Sequence, residues 1–254
     1  MRVLVFGAHP DDMEIGMGGT IAKHVAAGDD VLMVVTTIPS NREIRLREAR
    51  EGAAVLGAQL ELLDVPPDDV GMNRRTIREF DRLLASVDPH LVYTHWDQDS
   101  HQDHMAVSRA VVAAARRNRA SLLMYEQTIP GGVVPGGGFK AQSFVDISPF
   151  IDVKCQSILV HHSQIEQNGG DWWLDGVRGR AMYRGYQMNV RYAEAFEVVK
   201  EIEVHFGNGR RDALRMPRRR DDGKRPRADS DGALVRRGAD ETDDWHALGR
   251  FPER

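Results

Sequence analysis

Short β-branched apolar runs alternate with helical patterns along this chain. Arg2 to Ala8, Val31 to Thr37 and Leu91 to His95 read as buried strands, with helical spacing between them. That alternation is the signature of βαβ units, which build an α/β fold: a mostly parallel sheet with helices on both faces. Arg42 to Leu56 ends at Gly57, a natural helix stop, and Thr76 to Ser86 repeats the pattern ahead of Pro89, so both are expected to be helices covering the sheet.

With 254 residues, 41% of them hydrophobic, the chain can bury one sizeable core, and a single folded domain is expected. From Gly207 to Arg254 the composition turns to 13 Lys or Arg and 10 Asp or Glu among few apolar residues. The expected organisation is a domain over residues 1–203 and a charged, disordered tail over 204–254. Between Pro130 and Phe139 the chain is too rich in glycine for regular structure and reads as a loop.

A formal net charge of −4 and a pI near 6.2 argue against nucleic acid as a partner, because phosphate binding needs clustered Lys and Arg. The lone cysteine, Cys155, can form no intrachain disulfide, which suits a reducing compartment. No apolar run approaches membrane-spanning length, so a soluble cytoplasmic protein is expected. Self-association of the chain is left open.

Two polar clusters follow predicted strands directly, where open parallel sheets place their functional groups. The first is Gly7-Ala8-His9-Pro10-Asp11-Asp12-Met13-Glu14, expected to lead through Gly16-x-Gly18-Gly19-Thr20 into a helix. The second runs from His95 through Asp97, Asp99, His101, Asp103 and His104 into the apolar helix Met105 to Ala115, and a helical turn there would put His101 and His104 on one face. An isolated His-Pro-Asp-Asp turn is ordinary loop chemistry, and a lone His-x-x-His pair is often a solvated helix face. Two such clusters at the ends of strands in one sheet favour a metal site. Catalytic zinc takes three protein ligands and keeps a fourth position open; His9, Asp12 and His104 fill that need and leave Asp11 and His101 for proton transfer.

At these residues the chain resembles the LmbE-like, or PIG-L, family of zinc-dependent N-deacetylases, with its His-Pro-Asp-Asp-type motif and its later His-x-Asp-His. The resemblance continues through Arg45-x-x-Glu48, Leu56-Gly57, His161-His162-Ser163-Gln164, Tyr183-Arg184-Gly185 and Tyr192 to Phe196, covering residues 1–203. It departs at Met13, where the family usually has an acid. The resemblance implies a Rossmann-like fold and a zinc ion, or another divalent transition metal, on His9, Asp12 and His104. It implies Asp11 as general base, His101 as acid or oxyanion partner oriented by Asp103, and Arg45 as a substrate-binding arginine. The implied reaction removes the acetyl group from an N-acetylglucosamine-type amino sugar or its conjugate. Zinc would acidify the attacking water and polarise the amide carbonyl.

Other readings rest on the same residues. Adjacent His161 and His162 must point apart, so at most one of them comes near a substrate. Gly16-x-Gly18-Gly19 loosely resembles a phosphate-cradling turn, but the dinucleotide fingerprint is not matched and Thr36 and Thr37 stand where it expects an acid. A related amidase, or a sugar-binding protein without catalysis, are the remaining alternatives.

Overall fold

A computed structural model describes residues 1–127, 132, 138–168 and 170–202. The central strands are β1 (Arg2–Gly7), β2 (Asp30–Val35), β3 (Gln59–Leu62), β4 (Leu91–His95) and β5 (Ser121–Tyr125), all parallel; β6 (Ser143–Asp146) and β7 (Ala193–Lys200) close one side of the sheet antiparallel. The sheet order is β3-β2-β1-β4-β5-β7-β6. The chain therefore winds outward from β1 to β3, returns beside β1 with β4, and winds the other way. This is the α/β architecture the alternation predicts.

Side chains of β1 alternate between two cores because successive residues of a strand face opposite sides. Val3 and Val5 pack with Met13, Met17 and Ile21 of α1 (Asp12–Ala26) and Ala53 and Leu56 of α2 (Arg42–Leu56). Leu4 and Phe6 pack with Phe80, Leu83 and Leu84 of α3 (Arg74–Val87) and Val107 and Val111 of α4 (Gln102–Ala114). α5 (Ile151–Leu159), α6 (His162–Gln167) and α7 (Asp171–Gln187) complete the described helices. Cys155 is buried, and none of the described helices is long and apolar enough to cross a membrane.

One expectation is corrected. The helix after the first polar cluster begins at Asp12, so Gly16, Gly18 and Gly19 lie inside α1 rather than ahead of it. A Cβ on Gly16 would sit 2.3 Å from the Tyr125 ring, and one on Gly19 would sit 2.7 Å from Ile147. These glycines let α1 approach the sheet and its neighbours closely, which removes the phosphate-loop reading. The 204–254 segment and most of the Pro130 to Phe139 loop lie outside the described residues.

Candidate metal centre

The switch point falls between β1 and β4, so the turns leaving their carboxyl ends stand side by side. The β1 turn is held in an uncommon backbone shape: Asp11 has φ 92° and ψ −27°, a left-handed region that costs a non-glycine residue about 1–3 kcal/mol. Arg45, buried on α2, donates from Nη2 to Pro10 O at 3.0 Å and lies 3.8 Å from Asp11 Oδ2. Arg45 is thus not a surface charge of its helix but part of the turn's support.

Asp12 is the hub. Its Oδ2 accepts the His9 backbone N–H at 2.7 Å and lies 3.2 Å from His95 Nε2; its Oδ1 accepts from Gln127 Nε2 at 2.9 Å and lies 3.2 Å from His104 Nε2. His104 Nδ1 faces Asp99 Oδ2 at 3.0 Å, which turns Nε2 toward Asp12. His9 Nε2 faces Asp103 Oδ2 at 2.9 Å, leaving Nδ1 on the Asp12 side at 3.6 Å. His9 and His104 therefore each have one nitrogen tied to an outer carboxylate and the other free to bind, the arrangement that orients histidine metal ligands.

The donor set fits a divalent transition metal. His9, His101 and His104 present ligand atoms within 4.8 Å of one another, as do Asp12, His95 and His104. Tetrahedral bonds of about 2.0–2.1 Å place ligand atoms about 3.3 Å apart; Asp12 Oδ1 lies 3.2 Å from His104 Nε2, and the other carboxylate oxygen, Oδ2, lies 3.6 Å from His9 Nδ1. Electrostatics agree. Burial alone would raise Asp12, but the charges of His104 and His95 outweigh it and hold its carboxyl well below the usual range. Burial would likewise lower His104, yet Asp12 and Asp99 push it up to about 10. This charge balance favours a cation beside Asp12 and His104.

Asp11 sits beside this cluster, and burial together with the neighbouring Asp12 pushes it up to about 7, against the pull of His161 and Arg45. A carboxyl tuned near neutrality can both take and return a proton. His101 caps α4 rather than lying within it, so the expected shared helix face does not arise; its ring still stacks on His104 with centroids 4.6 Å apart. His101 Nδ1 accepts the Asp103 backbone N–H at 3.1 Å. Burial, aided by His104 and His9, lowers His101. Here the expected orientation of His101 by the Asp103 carboxylate is corrected: that carboxylate faces His9, and it is the Asp103 backbone N–H that meets His101 Nδ1.

A cavity of about 250 Å³ opens onto both halves, lined by Asp11, Arg45 and His101 together with Gln127, Gln164 and Trp173. Behind it, buried His161 pairs with Glu14 Oε1 at 3.2 Å, while His162 points to solvent. Four contributors escaped the sequence reading as site residues: His95, Asp99, Gln127 and Glu14. Asp99 and His95 stood within the second polar cluster without a role; nothing in the sequence marks Gln127.

Fold and site together define a class: α/β proteins with a His/Asp cluster able to hold a metal at the sheet's switch point. The PIG-L profile, described as GlcNAc-PI de-N-acetylase, matches residues 4–115. The chain is 31% identical over 133 residues to the uncharacterized deacetylase YaiS of Escherichia coli, covering 45% of this chain and 68% of that protein. It is 28% identical over 230 residues to the diacetylchitobiose deacetylase of Thermococcus kodakarensis, covering 81% and 85% of the two chains. The crystal structure of the conserved protein TT1542 from Thermus thermophilus superposes with a TM-score of 0.69 at 26% identity, covering 80% of this chain and 96% of that one. The protein belongs to the PIG-L family.

Proposed function

We propose that this protein is a zinc-dependent hydrolase that removes the N-acetyl group from an N-acetylglucosamine-type amino sugar or its conjugate, releasing acetate and a free amine. The observation that carries the reading is Asp11, raised toward neutrality, standing beside the Asp12–His104–His9 donor set in one cavity. The names of the relatives, a diacetylchitobiose deacetylase among them, support the acyl group and the sugar.

His9, Asp12 and His104 would hold the metal, which supplies acidification of water and polarisation of the amide carbonyl. Asp11 takes a proton from the water as its oxygen attacks the carbonyl carbon. His101, with Nδ1 engaged by the Asp103 amide, offers an Nε2–H to the oxyanion as a neutral donor; removal of such a donor costs about a hundredfold or more in rate. When the C–N bond breaks, Asp11 returns its proton to the departing nitrogen. Arg45 holds the Asp11 turn and faces the cavity as a substrate contact. We assign this activity to residues 1–203 and to a small soluble substrate in the cytoplasm, consistent with the single buried cysteine.

The test is acetate release from a panel of N-acetylglucosamine derivatives by wild type and Asp11→Ala. Turnover by wild type, reduced roughly 10²–10⁴-fold in the variant with zinc content retained, is expected. Equal turnover by the two proteins would sink the mechanism.

A further inference from the structure

Helix α1 is kinked near its start. Met17 has φ −149° and ψ 26°, outside the helical range, so the segment Asp12–Gly16 is set off from the rest of the helix. Sharp kinks come from proline, from glycine or serine pairs, or from side chains that enter the hydrogen-bond ladder. α1 has no proline, and beside its glycines two charged side chains from other elements enter the ladder.

An unbroken helix would pair the Ile15 carbonyl with the Gly19 amide. At the kink the Gly19 N–H donates to Glu194 Oε1 at 3.1 Å and the Thr20 N–H to Glu194 Oε2 at 2.6 Å. The Ile15 carbonyl accepts from Lys154 Nζ at 2.9 Å and from Arg180 Nη2 at 2.7 Å. Lys154 of α5 and Glu194 of β7 also pair with each other. The ion pair therefore spans one rung of the ladder, with its carboxylate on the amide and its ammonium on the carbonyl. Both side chains are buried, and a Cβ on Gly18 would stand 3.3 Å from Lys154 Cγ.

Stability alone does not explain such a pair. Burial lowers the Lys154 ammonium against the pull of Glu194. Apolar residues of similar volume often replace buried ion pairs with no loss of stability. What the pair does here is local: it satisfies backbone groups at the kink, directly behind the segment whose first residue is Asp12 and whose third is Glu14.

We infer that Lys154 and Glu194 are positioning residues for the metal site: they hold α1 open at Met17, so that the Asp12–Gly16 turn aims Asp12 at His104 and His9. The inference rests on the proposed role of Asp12 as a metal ligand. The effect of the pair passes through the α1 backbone, from Ile15 back along one helical turn to Asp12.

Two double variants of the full chain remove the same buried charges and differ at the kink. In Lys154→Met/Glu194→Leu the Gly19 amide is left to the Ile15 carbonyl, and α1 closes. In Lys154→Met/Glu194→Gln a side-chain oxygen still accepts the amide while Arg180 still holds Ile15, and the kink stays. Zinc affinity is read by competition with a chromophoric chelator, and the Met17 backbone by its carbon chemical shifts in the metal-free protein. For the first variant the expected result is helical shifts at Met17 and zinc binding weakened about 10–100-fold, with the melting temperature of wild type. The second should keep the shifts and affinity of wild type. Equal affinity in wild type and the folded first variant overturns the proposal, as does an equal loss in both variants, which would trace the effect to charge. Should the first variant not fold, Glu194→Asp decides, because it keeps both charges and withdraws the carboxylate by one methylene. Weaker zinc binding is then expected, and unchanged affinity overturns the proposal. A wild type that binds no zinc overturns the functional reading, and this role with it.

Discussion

His104 Nδ1 lies 3.0 Å from Asp99 Oδ2, five residues earlier, and this contact fixes which nitrogen of His104 faces the metal centre. Outer carboxylates of this kind are worth about 10–100-fold in metal affinity. Asp99→Asn is therefore expected to weaken zinc binding by that factor, measured by competition with a chromophoric chelator. Unchanged affinity would mean that Asp99 serves only the α4 turn.

Asp103 separates two accounts of the site. With its carboxylate 2.9 Å from His9 Nε2, Asp103→Asn should lower zinc affinity, again by about 10–100-fold, because His9 loses its orienting partner. If the carboxylate acted instead on His101, the same variant would bind zinc normally and lose kcat alone.

Gly52 makes room for the Glu14–His161 pair: a Cβ there would lie 2.5 Å from Glu14 Oε1 and 2.9 Å from His161 Nε2. Both groups are buried and held by each other, so neither can yield without breaking the pair. Gly52→Ala is expected to destabilise the fold by about 1–3 kcal/mol in denaturant titrations. A variant as stable as wild type would show that the pair relaxes freely.

The same pair gives a pH dependence whose sign follows from its charges. Burial would lower His161, but Glu14 outweighs it and raises the imidazole above its ordinary 6.5. A raised folded-state value means the pairing contributes its full stability below pH 6.5 and loses it as pH rises through the folded value. Between pH 6 and 9, wild type should lose stability relative to Glu14→Gln, whose histidine no longer has that partner. Parallel stability curves for the two proteins would contradict the assignment.

Much of the site was legible because its residues cluster in two short segments, each directly after a strand with strong apolar character. Strands β1 and β4 announce themselves by Val-Leu-Val-Phe and Leu-Val-Tyr, and the parallel winding then brings His9–Asp12 and His101–His104 together. Strands β3 and β6 were not legible, since Gln59–Leu62 alternates over only four residues and Ser143–Asp146 is equally short. Gln127 reaches Asp12 across 115 residues of sequence, and His161 reaches Glu14 across 147. Such contacts depend on sheet order, which periodicity does not encode. The roles of Asp99 and Asp103 depended on turn geometry within a few residues, where helix spacing suggested a different face.

In the proposed reaction, turnover depends on a metal held by His9, Asp12 and His104. Its most direct test is acetate release from an N-acetylglucosamine derivative by chelator-stripped protein as zinc is titrated back. Release should be absent before zinc is added and should saturate near a single equivalent per chain. Full turnover by the metal-free protein, or by Asp12→Ala with zinc present, would rule out a metal-dependent reaction at these residues.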